Sequence, residues 1–196
     1  MYRFYYNHEI PGDVLFVLFH PEKKVTSSTR NGDIVILLSN DERVGMNIFN
    51  ISSYVSIPHD GAFFRDDGEI LSAVNSLLSS FSLPLISPND NSGFFVATIT
   101  ALEEHPLDEK ASIVSLLLKE KKLGTVTRYA NLKIGDKVVV EVNGCLDYEG
   151  SLFEAHLEKN IPVDVHICNA QELQIEKGKI REAYLVDLPS GIDFFG

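Results

Sequence analysis

The feature that most constrains the fold is a series of short apolar runs, separated by turn signals, in the second half of the chain. Runs rich in β-branched and aromatic residues and bounded by Gly, Pro, Asn or Asp are typical of β-strands. They predict strands at 94–102, 112–119, 123–128, 137–143, 151–157 and 161–167. Five or six short strands within about 75 residues indicate a small barrel of the OB type. After them we expect a polar turn at 176–179 and a last strand at 183–188.

The first half begins with strands of its own. The apolar run 14–19 predicts a buried strand, and the polar residues 20–32 predict a loop that ends in the turn signal Asn31-Gly32. The runs 33–38 and 44–49 predict a hairpin. Residues 47–54 alternate between polar and apolar only through Ile51. They fit either a strand or a turn in which Asn and Ser bond the local backbone, and the turn is favoured.

The clearest single element is a helix over residues 67–81. Its apolar residues recur at spacings that place them on one helical stripe. They are Ile70, Leu71, Val74, Leu77, Leu78 and Phe81. Asp66 with Glu69 resembles a capping box at the start, and Pro84 prevents continuation beyond the end. Such a stripe must be buried, and the strands within 14–49 are the nearest partners.

These elements predict two domains and a linker. Residues 1–83 form an α+β N-terminal domain, and residues 94–196 form an all-β OB-fold barrel. Between them, residues 84–93 are rich in Pro, Asn, Ser and Gly, which is typical of a linker.

Composition indicates a globular protein of the cytoplasm. Apolar residues make up 44% of the chain and charged residues 23%. No run approaches the roughly 20 apolar residues of a membrane-spanning helix. The first residues lack the order of a signal peptide, so we expect the cysteines, Cys145 and Cys168, to be reduced.

The sequence carries no motif for catalysis or for a cofactor. There is no Gly-x-Ser-x-Gly elbow and no glycine-rich phosphate loop. His166 and Cys168 would share one face of a strand and could join Cys145 as metal ligands, but the short-range ligand pairs of zinc sites are missing. Core packing of the thiols is therefore favoured, and we expect a protein that is not an enzyme.

Charge argues against indiscriminate nucleic-acid binding. The formal net charge is −11, and acidic residues outnumber basic ones in both halves. Proteins that bind nucleic acid by charge usually carry a basic surface. A local basic patch stays open, because basic residues recur through the first half of the predicted barrel. They are Lys110, Lys119, Lys121, Lys122, Arg128, Lys133 and Lys137. Tyr129, beside Arg128, is positioned in sequence to stack on a base.

The order of several motifs resembles that of short bacterial tRNA-binding proteins of the YtpR type. Their tRNA-binding OB module also occurs in the β chain of bacterial phenylalanyl-tRNA synthetase. The matching segments of that module are 105–111, 135–140 and 166–173. They correspond to its His-Pro turn, its Gly-x-Lys-Val-Val-Val strand and its closing Met-Leu-Cys-Ser-Ala-x-Glu-Leu segment. In the first half, 12–15 and 47–54 match the same proteins, and the Asn-Ile-Phe-Asn run is the most specific of all.

In the His-Pro turn only His105, Pro106 and Lys110 keep the family pattern, and two further segments depart from it. The family's Cys-Gly-Ala-x-Asn is Thr127–Asn131 here and keeps only Ala130 and Asn131. The family's Arg-Gly-Val-x-Ser-x-Gly-Met is Glu158–His166 here, with one extra residue and without its Arg, Ser and Gly-Met. Both departures lie where the module is usually associated with RNA contact.

The resemblance implies a non-catalytic accessory protein that binds tRNA or other structured RNA. Phosphate contacts would come from Lys110, Lys121, Lys122 and Arg128. Stacking or polar contacts would come from Tyr129, Asn131 and Asn169. The departures keep an alternative open, in which the barrel has lost RNA binding and serves protein interaction or dimerisation.

Overall fold

A computed structural model describes residues 2–64, 68–175 and 181–196. The chain divides into two compact units, Met1–Asp90 and Asn91–Gly196. Most of the described secondary structure is β, with one α-helix. Within the described ranges, no helix is long and apolar enough to cross a membrane.

The first unit contains an antiparallel sheet of six strands. The strands are β1 (Arg3–Tyr6), β2 (Val14–Leu18), β3 (Ser27–Asn31), β4 (Ile34–Ser39), β5 (Glu42–Phe49) and β6 (Gly61–Phe63). Their order across the sheet is β3-β4-β5-β2-β1-β6. The predicted strand at 14–19 and the predicted hairpin at 33–49 are both confirmed. Asn40 and Asp41 make the hairpin turn with positive φ values of 48° and 69°, which short polar residues tolerate.

Three strands of this sheet were absent from the sequence prediction. The predicted loop 20–32 contains β3, whose side chains are mostly exposed because it is an edge strand that pairs only with β4. Strand β3 is held in the sheet by backbone hydrogen bonds. Its sequence is polar throughout, so it lacks the alternation of apolar and polar residues that predicts a strand. Strands β1 and β6 are short, and β6 lies at the other edge.

The predicted helix forms as α1 (Gly68–Ser80). Its stripe packs with apolar residues of the sheet in one core, and five of the six predicted stripe residues are buried. Phe81 was placed wrongly: it follows the last helical turn and is 40% exposed, with its ring over Gly32. The Asp66 side of the predicted capping box lies outside the described residues.

Residues 47–54 combine the two structures that the sequence left open. The strand β5 continues through Phe49. Asn50 then adopts a left-handed conformation, and Ile51–Ser53 form a 3-10 turn. Asp13 fixes this turn by accepting hydrogen bonds from the Ser52 backbone N–H at 3.1 Å and the Ser52 hydroxyl at 2.7 Å. The Asn-Ile-Phe-Asn run therefore marks the passage from a strand to a tightly bonded turn.

Part of the predicted linker packs with the first unit. Ile86 is buried in its core, and both polar atoms of the Asn75 amide bond the Ile86 backbone at 2.8 Å. The Asn89 amide bonds the Tyr2 backbone in the same way, at 2.9 and 2.7 Å.

The second unit contains a barrel-like sheet of five strands. The strands are β7 (Phe94–Glu104), β8 (Ser112–Leu118), β9 (Lys121–Thr127), β10 (Lys137–Val142) and β13 (Val165–Ile167). Their order is β13-β10-β7-β8-β9. The two edges approach each other, because the Thr125 hydroxyl donates to the Val165 carbonyl at 2.6 Å and the Asp164 N–H donates to the Gly124 carbonyl at 2.8 Å. Apolar residues of all five strands fill the interior.

The later strands differ from their predicted bounds. Between β10 and β13 the chain makes a small separate hairpin, β11 (His156–Glu158) with β12 (Ile161–Val163). The predicted strand at 151–157 is therefore limited to its last two residues. The predicted strand at 161–167 is interrupted at Asp164, whose backbone and carboxylate both bond Gly124. Residues 183–188 form isolated bridges rather than a strand. The predicted turn at 176–179 lies outside the described residues.

Candidate nucleic-acid interface

The predicted basic residues occupy opposite ends of the β8–β9 hairpin. Ser112 pairs with Thr127 at one end, and Leu118 pairs with Lys121 at the other. Six residue steps of an antiparallel strand span about 20 Å. Lys121 and Lys122 lie at the tip, whereas Lys110 and Arg128 flank the far end. The structure therefore does not bring the four predicted phosphate contacts to one point.

The hairpin tip is a basic corner beside an apolar groove. Lys119, Lys121 and Lys122 are all exposed. The groove has a volume of about 330 Å³ and is lined by Phe95 and by residues 118–121. The ammonium group of Lys119 lies 6.0 Å from the centroid of the Phe95 ring. Positive charge and an aromatic face are thus adjacent here.

At the other end, Arg128 is held by two carboxylates. Its Nη2 lies 2.7 Å from Asp108 Oδ2 and 3.4 Å from Glu158 Oε1. The side chain of Arg128 is 58% exposed, and those of Asp108 and Glu158 are 22% and 27% exposed. The hydrogen bond from Arg128 lowers the pKa of Asp108, and the bond to Asp108 raises the pKa of Arg128.

The loop between β7 and β8 positions Asp108 and Lys110. His105 is buried at the start of this loop, and its Nδ1 accepts a hydrogen bond from the Leu107 N–H at 3.1 Å. Asp108 Oδ1 accepts from the Lys110 N–H at 3.1 Å, which closes a tight turn. The side chain of Lys110 is left exposed at the loop surface.

Tyr129 and Asn169 are bonded to each other. The Asn169 amide donates to the Tyr129 hydroxyl at 3.2 Å. The ring of Tyr129 is half-buried against the barrel core, and burial raises the pKa of Tyr129 to about 12. The ring therefore contributes packing, with only part of its face open to a partner.

Asn169 also begins a reciprocal turn with Glu172. Its Oδ1 accepts from the N–H groups of Gln171 at 2.8 Å and Glu172 at 3.1 Å, while its own N–H donates to Glu172 Oε2 at 2.6 Å. This is the bonding pattern of a capping box. Glu172 Oε1 additionally lies 3.0 Å from His166 Nε2. The polar residues of segment 166–173 thus form a turn in which they bond one another.

Asn131 is engaged with the C-terminal segment. Its amide donates to the Ala183 carbonyl at 3.0 Å, and its Oδ1 accepts from the Ala183 N–H at 2.9 Å. Tyr129, Asn131 and Asn169 therefore shape the surface around Arg128 and the end of the barrel, and their polar groups already have partners within the chain.

The two cysteines are buried thiols. Cys145 Sγ donates to the Gly93 carbonyl, and Cys168 Sγ to the His166 carbonyl. Burial raises the pKa of Cys168, and nearby Glu141 acts in the same direction. Among the residues that the structure describes, no three His, Cys, Asp or Glu side chains are placed to hold a metal ion.

Sequence reasoning missed the partners of Arg128. Asp108 is 20 residues away along the chain and Glu158 is 30 residues away, so no local spacing links them. The available signal was the pair of departures from the family pattern, which introduce an arginine and a glutamate of opposite charge.

Comparison with known proteins supports the motif resemblance over nearly the whole chain. Residues 21–81 match the family model described as "Domain of unknown function (DUF4479)". A protein of Bacillus subtilis (strain 168) named "Putative tRNA-binding protein YtpR" is 30% identical over 191 residues, which cover 93% of this chain and 92% of that protein.

Together the two units and their motifs define a class of small β-rich proteins in which a sheet-and-helix unit precedes a barrel-like unit. The match to YtpR, at 30% identity, covers nearly the whole length of both chains. The chain belongs to the YtpR family.

Proposed function

We propose that this protein is a non-catalytic RNA-binding accessory protein whose ligand is tRNA or another structured RNA. The observation that carries the proposal is the similarity to YtpR over almost the full length of both chains, since that relative is named as a tRNA-binding protein.

The strand order supports an OB barrel as the binding unit. Numbered in chain order among the five strands of this sheet, the order across the sheet is fifth, fourth, first, second, third. A hydrogen bond from Thr125 to Val165 links the third strand to the fifth. OB folds are five-stranded Greek-key barrels that bind nucleic acid on the second and third strands and on two loops, those joining the first to the second strand and the fourth to the fifth. Here these parts are β8, β9, the loop 105–111 and the segment 143–164.

The predicted RNA-contacting residues lie on or beside these parts. Lys110 belongs to the first loop, Lys121 and Lys122 to β9, and Arg128 follows β9. We propose that they contact phosphates, with Lys110 and Arg128 near one end of the hairpin and the two tip lysines near the other. Two contact points about 20 Å apart suit a folded or extended RNA better than a single nucleotide.

Stacking has a smaller part in this proposal than charge. The side chains on the outer face of β8 and β9 include Ile113, Ser115, Leu117 and Val126, with no aromatic ring among residues 112–127. Tyr129 offers only part of its ring, and Asn131 and Asn169 support the surrounding loops. Recognition would therefore rest on phosphate contacts and shape, as for structured RNA.

The test is binding of the purified full chain to bulk tRNA, measured by filter retention from about 50 to 200 mM salt, where several phosphate contacts become visible. We expect affinity to fall steeply as salt rises. Absence of binding at the lowest salt would contradict the proposal.

A second candidate function is protein interaction or dimerisation through the barrel. It is favoured by the net charge of −11 and by the two carboxylates that form ion pairs with Arg128. Sedimentation of the protein alone, together with the tRNA-binding measurement, would separate the two candidates. A stable dimer without tRNA binding would favour this second function.

A further inference from the structure

Three separate segments converge on one guanidinium group. Asp108 comes from the loop between β7 and β8, Arg128 follows β9, and Glu158 ends β11. These are the two binding loops of the proposed OB barrel and the end of its third strand. The convergence therefore lies at the place where an RNA would approach the barrel.

The carboxylates of this cluster occupy the guanidinium that an incoming phosphate would contact. One guanidinium faces two carboxylates, so their formal charges offset that of Arg128. Lys110 is exposed on the same loop, and Lys159 Nζ lies 3.5 Å from the Leu107 carbonyl at its surface. Both carboxylates bond Nη2, which takes part in either bidentate edge of a guanidinium, so a phosphate that binds Arg128 through two N–H groups competes with them for this nitrogen.

We propose that Asp108 and Glu158 are affinity-determining residues that compete with RNA phosphates for Arg128. This inference rests on the proposed RNA-binding function. In the free protein the two carboxylates occupy the guanidinium. When RNA binds, a phosphate takes their place at Arg128.

The exchange is physically accessible because the side chain of Arg128 is 58% exposed and both carboxylates are partly exposed to solvent. Exposed pairs contribute little net stability, since water and salt screen them and two side chains lose freedom. Phosphate oxygens match the planar fork of arginine as well as carboxylates do. The carboxylates therefore weaken RNA binding without abolishing it. Only a ligand whose phosphates displace them from Arg128 binds tightly.

The experiment compares tRNA binding by the full-length protein and by Asp108→Asn, Glu158→Gln and the double variant. Asparagine retains the Oδ1 acceptor that closes the turn to the Lys110 N–H, so the loop is expected to stay intact. Glu9→Gln is the matched control, because it removes one exposed negative charge in the first unit. Circular dichroism verifies that each variant is folded.

We expect the double variant to bind tRNA about three- to tenfold more tightly than the unmodified chain, which is the range for removing two exposed competing charges. The Glu9→Gln control should change affinity less than twofold. In an Arg128→Ala background, Asp108→Asn and Glu158→Gln should give no more gain than the control.

The outcomes separate this inference from the proposed function. If the unmodified chain binds tRNA and the double variant binds equally or more weakly, the competition is wrong and the RNA-binding function stands. A gain that persists in the Arg128→Ala background would also overturn it, since the effect would then be general charge. If no variant binds tRNA at the lowest salt, the proposed function fails and the inference fails with it.

Discussion

The side-chain amide of Asn131 pairs with both backbone polar groups of Ala183, a residue 52 positions later in the chain. The Asn131 amide thus makes the pair of hydrogen bonds that the backbone of a neighbouring strand would make. It joins the segment after β9 to the C-terminal segment, which also bonds the barrel through the backbone N–H groups of Tyr184, Val186 and Gly191. Asn131 is thus a structural residue of the second unit, whatever else it contacts.

Asn131→Ala should lower the stability of the protein. Ala183 is buried, so the substitution leaves its N–H and carbonyl without these partners, at an expected cost of about 1–3 kcal/mol. The measurement is urea unfolding followed by circular dichroism, because the chain has no tryptophan. Asn143→Ala is the control, since Asn143 makes one bond, to the exposed Ala155 N–H. Equal losses in both variants would contradict the role of Asn131.

Replacing Lys121 and Lys122 together by Ala should reduce the salt dependence of tRNA binding. Each lost phosphate contact lowers the slope of log affinity against log salt by about 0.7–0.9. Lys24→Ala removes one exposed positive charge in the first unit and should leave the slope unchanged. A slope that stays the same in the double variant would exclude the hairpin tip from the RNA contact.

The sequence predicts elements whose signal is local. The stripe of α1 and the β4–β5 hairpin follow from periodicity and turn residues within a short window, and both form. Strand β3 escaped prediction because its side chains face water and only its backbone pairs. Phe81 fits the helical spacing, but the helix ends one residue earlier.

Contacts of the candidate site depend on chain topology, which the sequence does not state. The Asn131–Ala183 pairing and the Arg128–Glu158 ion pair join segments that are adjacent only after the barrel closes. The sequence predicts that Tyr129, beside an arginine, is available to stack on a base. In the structure its ring is half-buried against the barrel core. Residue type was therefore informative about the fold. The burial and bonding partners of each site residue became known only from the three-dimensional structure.

Asp147→Asn should stabilise the protein at neutral pH. Burial raises the pKa of Asp147, and the nearby charges of Glu172 and Glu149 act in the same direction. A carboxyl whose pKa is raised on folding favours the folded state below its unfolded pKa of about 3.9, and this contribution is lost as pH rises through the folded pKa. Asparagine avoids the buried charge and keeps the Oδ1 acceptor for the Ser151 N–H.

The check on Asp147 is the melting temperature as a function of pH. We expect the variant to melt a few degrees higher than the unmodified chain at pH 7, with the difference shrinking toward pH 3 as Asp147 becomes protonated. Asp187→Asn, at an exposed position, is the control and should have little effect at either pH. A gain that is the same at pH 3 and pH 7 would show that charge burial is not its cause.

Leu78→Ala should destabilise the first unit far more than Phe81→Ala. Leu78 is fully buried between α1 and the sheet, and truncating such a leucine costs about 2–5 kcal/mol through lost burial and a residual cavity. Phe81 lies beyond the helix end with much of its ring in water, so its truncation should cost about 1 kcal/mol or less. Urea unfolding of both variants measures the difference. If the two losses are equal, Phe81 belongs to the buried stripe, as helical spacing alone predicts, and the helix does not end at Ser80.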